Sequence, residues 1–337
     1  MKPNIFELAT KELTQDSFLT WLLQWADDSN EEHDKNLNLC AKDFVKRLIA
    51  KEHPTLNIEV QKVVAGRQWE NIDVWAEIND KYLIIIEDKT STGQHSNQLA
   101  RYKEIANKWC TEKNYTLISI YVKTGNEAIS SLKSVENQGF RIFSRQNLIE
   151  LFAEYPSIDN DIFVDFHKRL IRLEVNNNKY ENTEIGKWGA DEWTGFYQYL
   201  DKKMGLVNWG YVANPSGGFW NAVLNWEHWV HYPVYMQIEQ GKLCFKISTH
   251  PDEISIKESE LNRAKVRNDF YNHIMKQSKE MGLNEIRKPD RFGNGKYMTV
   301  AIVDREKWIG EDTDKVNSAE IIEKLKKYKD FLITIIK

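Results

Sequence analysis

One segment of this 337-residue chain, residues 71–89, orders its charged groups as a divalent cation and a phosphodiester would require. It reads as two adjacent β-strands. Asp73 stands near the start of the first strand, and Glu87 and Lys89, two apart, close the second. Asp73 and Glu87 would offer hard carboxylate oxygens to Mg²⁺ or Mn²⁺, and the carbonyl of Asp88 could add another. Lys89 is cationic and so is no ligand. It could orient or help deprotonate an attacking water and stabilise charge growing on a phosphate.

The two acids can cooperate only if they share a face. Directly opposed residues in an antiparallel pair have Cβ atoms about 4.5–5.5 Å apart. Placing Asp73 opposite Glu87 pairs Val74 with Ile86, Ala76 with Ile84 and Ile78 with Tyr82, an apolar face suited to packing on a helix. The other face carries Asp73, Trp75, Glu77, Leu83, Ile85, Glu87 and Lys89. A two-residue turn at Asn79-Asp80 would slip the register by one and send the acids to opposite faces. The metal-site reading therefore demands an odd loop: Asn79-Asp80-Lys81, or a five-residue one. A three-residue loop wants glycine or asparagine at its left-handed position, where Lys81 fits poorly.

The surrounding elements follow from periodicity. Helical spacing of Phe18, Leu19, Leu22, Leu23 and Trp25 predicts a helix over residues 14–26, with Thr14 as N-cap, and a second helix covers residues 37–50. Strands are expected over residues 56–64 and within 72–89. Gly93 opens a polar turn, and a helix over residues 95–109 sets Gln98 and Tyr102 four apart on one face, where both could hydrogen-bond a phosphate. Residues 115–123 read as a buried strand, 140–143 as a short one, and 146–152 and 163–173 as helices.

The polar run Asn176-Asn177-Asn178-Lys179 marks a boundary between a first domain, residues 1–175, and a second, residues 180–337. The second is rich in tryptophan. It reads as a helix (191–203), antiparallel strands (207–213, 219–229, 234–238, 243–248), a charged helix (259–281), a hairpin (286–304) turning at Gly293-Asn294-Gly295, and a closing helix (318–336). The expected fold class is α/β, a mixed β-sheet flanked by helices, joined to an α+β antiparallel-sheet domain.

A formal charge of −4 argues against a protein that coats nucleic acid non-specifically, while local basic patches and a bound metal leave a nucleic-acid enzyme open. Cys40, Cys110 and Cys244 are too dispersed for a disulfide framework or zinc knuckle and suit free thiols in a reducing cytoplasm. The N-terminus lacks the pattern of a signal peptide, and no apolar run reaches the ~18 residues of a membrane span.

Asp73 and Glu87-Asp88-Lys89 resemble the PD-(D/E)XK nuclease superfamily, whose restriction-endonuclease-like core of helix, three strands, helix and strand carries Asp on the second strand and Glu-x-Lys on the third. Gln98 and Tyr102 match a glutamine and tyrosine that many members carry on the following helix. The segment from Ala9 to Phe18 is similar to that of a bacterial branch with a glutamate at the first helix, which here is Glu12. Ile72 stands where the family name has proline. The likeness covers residues 1–175 and implies Mg²⁺- or Mn²⁺-dependent hydrolysis of phosphodiester bonds, in DNA rather than RNA, with a place in phage defence or genome maintenance. On this reading Glu12, Asp73, Glu87, Lys89, Gln98 and Tyr102 are catalytic, and Asp73, Glu87 and Asp88 bind metal. A homo-oligomer and a protein partner on residues 180–337 remain open. The rivals are a catalytically silent nucleic-acid-binding module and a protein–protein adaptor using the second domain.

Each residue also has a purely structural alternative. Asp73 could cap the sheet, and Glu87 could simply pair with Lys89. Tyr102 could be a core aromatic, Glu12 a surface ion pair, and His95 a surface residue. The tryptophans read first as core, although the loop at residues 214–220 could stack bases. Arg287, Lys288, Arg291 and Lys296 could track phosphates or form an ordinary charged hairpin.

Overall fold

The structure is a computed structural model and describes residues 3–90, 93, 97–215 and 217–337. His95 and Ser216, the latter in the aromatic-tipped loop, lie outside the described residues. Two compact units divide the chain: residues 1–127 with 131–175, and residues 128–130 with 176–337.

The first unit contains α1 (Ile5–Leu8), α2 (Glu12–Trp25), α3 (Lys35–Ala50), β1 (Val63–Trp69), β2 (Ile72–Ile78), β3 (Tyr82–Lys89), α4 (Gln98–Lys113), β4 (Thr116–Lys123), α5 (Ile129–Asn137), β5 (Arg141–Ser144), α6 (Arg145–Ala153) and α7 (Asp161–Asn177). The last residues of α7 and the first of α5 belong to the second unit. The five strands form one sheet in sequence order, antiparallel from β1 to β3 and parallel from β3 to β5. Helix α4 makes the β3–β4 crossover that a parallel pair needs.

Both faces of this sheet are covered. Val74, Ala76, Ile78, Ile84, Ile86, Ile118 and Ile120 pack with α2, α3, α6 and α7 through Phe18, Phe44, Leu148 and Phe166. On the other face Leu83, Ile85 and Tyr121 meet Leu99, Tyr102 and Ala106 of α4 and Val135 of α5. Such double cover explains why β3 is apolar almost throughout.

Helix α2, expected over residues 14–26, begins at Glu12 rather than at a Thr14 cap, so Glu12 lies in its first turn. The first strand lies later than residues 56–64. Pairing with β2, from Val63 opposite Ile78 to Trp69 opposite Ile72, decides its position. Upstream, the Asn79 side chain accepts the N–H groups of Gln61 and Lys62, leaving those donors no need of a strand partner. Helix α5 was not expected, because Val135 is its one fully buried residue and its apolar signal is weak.

The second unit contains α8 (Ala190–Met204), β6 (Asn208–Val212), β7 (Phe219–Val223), β8 (Glu227–Trp229), β9 (Tyr232–Glu239), β10 (Lys242–Ser248), α9 (Arg263–Glu280), β11 (Tyr297–Val303), α10 (Arg305–Trp308) and α11 (Ser318–Ile335). Its sheet runs β11-β10-β9-β7-β6, all antiparallel, with β8 on β9. Residues 219–229 form two strands rather than one, because the Asn225 side chain takes the Met236 N–H between them. The expected hairpin at 286–304 reduces to β11 and one bridge between Arg287 and Ile302. Pro289 cannot donate to a ladder, and β11 pairs with β10 instead.

Trp193, Trp209 and Trp308 are core, with Trp188, Trp220 and Trp229 packed against it. Arg287 of the basic cluster is occupied by Asp304 and Asp290, and Lys288 lies over the Tyr271 and Phe292 rings. The three cysteines are free and buried. Among the described residues no helix is long and apolar enough to cross a membrane.

Candidate active site

The β2–β3 hairpin has the register that brings the acids together: Val74 pairs with Ile86, Ala76 with Ile84 and Ile78 with Tyr82. The connection is the three-residue one. Lys81 N–H closes on Ile78 O at 3.0 Å, and Asn79 and Asp80, with φ of 52° and 53°, take the left-handed positions. Lys81 is thereby spared the conformation it fits poorly.

At the carboxyl ends of β3 and β4, where open α/β sheets place ligands, three carboxylates surround one ammonium. Lys89 Nζ lies 2.5 Å from Glu87 Oε1, 3.7 Å from Asp73 Oδ2 and 3.8 Å from Glu12 Oε2. It also donates to the Asp88 carbonyl at 3.1 Å. Asp73 Oδ2 accepts the Asp88 N–H at 3.1 Å, and Glu12 Oε1 accepts the Thr90 N–H at 3.2 Å. Glu12 sits in the first turn of α2, where the helix dipole favours an anion. Glu87 is fully buried and Lys89 is 5% exposed.

Three acids against one base leave an excess of buried negative charge. Burial first, then the Asp73 charge, pushes the Glu87 carboxyl up to about 8, against the pull of Lys89. Burial works against the Lys89 ammonium, but its bond to Glu87 and the charges of Glu87, Asp73 and Glu12 outweigh it and push Lys89 up to about 12. Apart from the Lys89 ion pair, neither Glu87 carboxylate oxygen has a hydrogen-bond partner. A buried carboxylate short of donors, beside a second one and a backbone carbonyl, is a donor set that suits a hard divalent cation. Among the described residues no three His, Cys, Asp or Glu side chains form a metal cage alone. A cation here would draw on Asp73, Glu87 and the Asp88 carbonyl.

The Asp88 carboxyl points the other way, as strand alternation requires. It is fully buried and accepts from Gln15 Nε2 at 2.5 Å, while Gln15 Oε1 accepts from the Thr124 hydroxyl at 2.8 Å. Asp16, 1% exposed, lies against it. Burial, then the charge of Asp16, raises Asp88 well above its ordinary range, and burial, then Asp73, brings Asp16 to about 7. Two like charges forced together in this way favour the protonated form of a carboxyl.

Glu87 is the register partner of Tyr121, and Lys89 of Lys123. Lys123 Nζ lies 3.3 Å from Glu127 Oε2, which also accepts the Tyr121 hydroxyl at 3.1 Å. The turn carrying Glu127 is fastened: Thr124 N–H donates to Lys89 O at 3.2 Å, and Arg145 donates to Thr124 O at 2.5 Å and Asn126 Oδ1 at 3.1 Å. Arg145 also pairs with Glu174 of α7 at 2.9 Å.

Asp73, Glu87, Lys89 and Glu12 thus converge, and Asp88 joins through its carbonyl. Gln98 Nε2 donates to the Tyr102 hydroxyl at 2.8 Å, so their four-residue spacing on α4 first pairs them with each other. Tyr102 is 3% exposed and also serves the core. Gln15, Asp16, Tyr121, Lys123 and Glu127 were not expected. Lys123 had a signal: like Glu87, it is a charge ending an apolar strand, where burial demands a partner. Gln15 and Asp16 had none, since polar residues in the first turns of a helix usually face solvent.

A model of the PD-(D/E)XK nuclease superfamily matches residues 3–205. No curated protein and no solved structure matches the chain.

Proposed function

The chain belongs to the PD-(D/E)XK nuclease superfamily, and on that premise we propose that it is a divalent-cation-dependent nuclease acting on phosphodiester bonds in DNA. The observation that carries this reading is the convergence of Glu12, Asp73 and Glu87 on Lys89 within 3.8 Å.

Asp73, Glu87 and the Asp88 carbonyl would hold Mg²⁺ or Mn²⁺, which supplies Lewis-acid stabilisation of phosphate charge and lowers the pKa of water. The Glu87, Asp73 and Glu12 carboxylates hold Lys89 as an ammonium. Its part would be to hold a water or non-bridging phosphate oxygen by hydrogen bonding and to offset developing negative charge. Glu12 helps aim the ammonium from the helix start. Gln98 and Tyr102 present an amide and a hydroxyl for the phosphate. A place in defence or genome maintenance extends this reading by analogy with the bacterial branch.

The 2.5 Å contact of Lys89 with Glu87 favours one second reading, a silent module in which the ion pair is purely structural and nucleic acid is bound but not cut. The full chain with Mg²⁺ or Mn²⁺ on plasmid and single-stranded DNA separates the two. Cleavage that disappears in Glu87→Ala and Lys89→Ala proteins of parental fold supports the nuclease. Binding without cleavage under either metal supports the silent module.

A further inference from the structure

On the sheet face that carries Asp73 and Glu87, three tryptophans and one acid line a cavity of about 170 Å³: Trp69, Trp75 and Trp109, with Glu77 and Leu83. Trp75 and Glu77 are the second and fourth residues beyond Asp73 on β2. At about 3.4 Å per residue the cavity lies ~7–14 Å along the strand from the carboxylates.

The walls are built rather than incidental. Trp69 and Trp109 meet edge to face, with centroids 5.9 Å apart and planes at 69°. Tyr115 backs Trp109 at 5.0 Å and 82°. Trp75 lies flat on the backbone of its register partner Gly66, where an added Cβ would come within 2.7 Å of the indole. Residue 66 is thus kept bare so that the ring can lie down. All three tryptophans are only half-buried, so each shows ring surface to solvent. Glu77, half-buried beside the Tyr115 hydroxyl, places a carboxylate on the rim of this aromatic cavity.

We propose that this cavity receives one unstacked base of a single-stranded or locally opened nucleic acid, and that it prefers cytosine to thymine. Indole faces stack any base. The size selects a single ring, because a cavity of about 150 Å³ accommodates benzene. Glu77 selects among pyrimidines: a carboxylate accepts from the N4 amino group of cytosine, whereas thymine presents the O4 acceptor and is repelled. The proposal rests on the nuclease reading for its ligand being nucleic acid, and it makes the substrate unpaired at the site.

The test is anisotropy of labelled single-stranded oligocytidine and oligothymidine on the full chain carrying Glu87→Gln, in EDTA. Oligocytidine should bind at least about fivefold tighter. Trp109→Ala should weaken both by about fivefold or more, and Trp109→Phe should restore most of the loss. Glu77→Gln, whose amide can satisfy either base, should abolish the preference. Equal binding of the two oligomers by the parent, or Trp109→Ala binding like the parent at the parental Tm, overturns the inference. If DNA is cut while these variants change nothing, the cavity proposal fails and the nuclease stands. If nothing is cut but binding depends on Trp109 and Glu77, the nuclease reading fails and the cavity stands.

Discussion

Lys89 and Lys123 stand side by side as register partners on β3 and β4, yet each ammonium has its own carboxylate, Glu87 at 2.5 Å and Glu127 at 3.3 Å. Two buried cations on neighbouring strand ends can divide the work on one substrate anion. Lys89 adjoins the carboxylates proposed to bind the cation and should act on the reacting phosphate. Lys123 is set back by one strand and should act on its neighbour. Lys89→Ala is expected to lower kcat by at least about 100-fold with little change in KM. Lys123→Ala should chiefly raise KM, in steady-state cleavage of a defined oligonucleotide.

Crowded carboxylates predict a stabilising cation. Binding to the folded state alone adds about 2.7 kcal/mol at one hundred times Kd. Mn²⁺ or Mg²⁺ should therefore raise Tm in a saturable way, and Asp73→Asn with Glu87→Gln should remove that rise. Thermal melts with and without EDTA check both parts. A parent whose Tm ignores divalent ions would count against the cation site.

Gln15 joins three elements: it donates to Asp88 on β3 and accepts from Thr124 after β4, both from α2. Gln15→Ala strands two buried groups and should cost about 1–3 kcal/mol by urea unfolding. Because the same bonds steady the Asp88 carbonyl, the variant should also weaken metal binding measured by calorimetry. Thr124→Ser, which keeps the hydroxyl, should do neither.

His167 on α7 gives a pH signature away from the site. Burial holds its imidazole below the usual 6.5, with Phe152 at 5.7 Å and Phe163 at 6.2 Å. Below pH 6.5 the unfolded chain takes up a proton that the folded chain refuses. Stability should therefore fall as pH drops from 6.5 toward the depressed folded value, and be flat above it. His167→Phe should lessen that fall in chemical denaturation at a series of pH values.

The hairpin was the most legible part of the fold, because chemistry and packing demanded the same register. Asp73 meets Glu87 only where Val74, Ala76 and Ile78 also meet an apolar partner. The first strand was less legible. Gly66, Arg67 and Gln68 conceal its alternation, and its limits come from β2 rather than from its own residues. In the site, the acids and lysine of β2 and β3 were readable by spacing. Lys123 and Glu127 were not singled out, because their meaning arises when a parallel strand sets residue 123 beside residue 89, and no local pattern encodes that neighbour. Asn79 shows the reverse case: one side chain fixes both the left-handed turn and the backbone entering β1.

The Arg145 clamp has a consequence for synthesis on the ribosome. Every carboxylate proposed to grip the cation has been made by residue 87, and its lysine by residue 89, but the turn behind them is tied down by a guanidinium at 145 that is itself aimed by Glu174. A nascent or truncated chain ending between these points carries the full set of reactive groups without the brace that fixes them. On the nuclease reading proposed above, competence to cut would be deferred until the last helix of the unit has emerged, and the cell would meet the hydrolytic centre only as part of a finished fold.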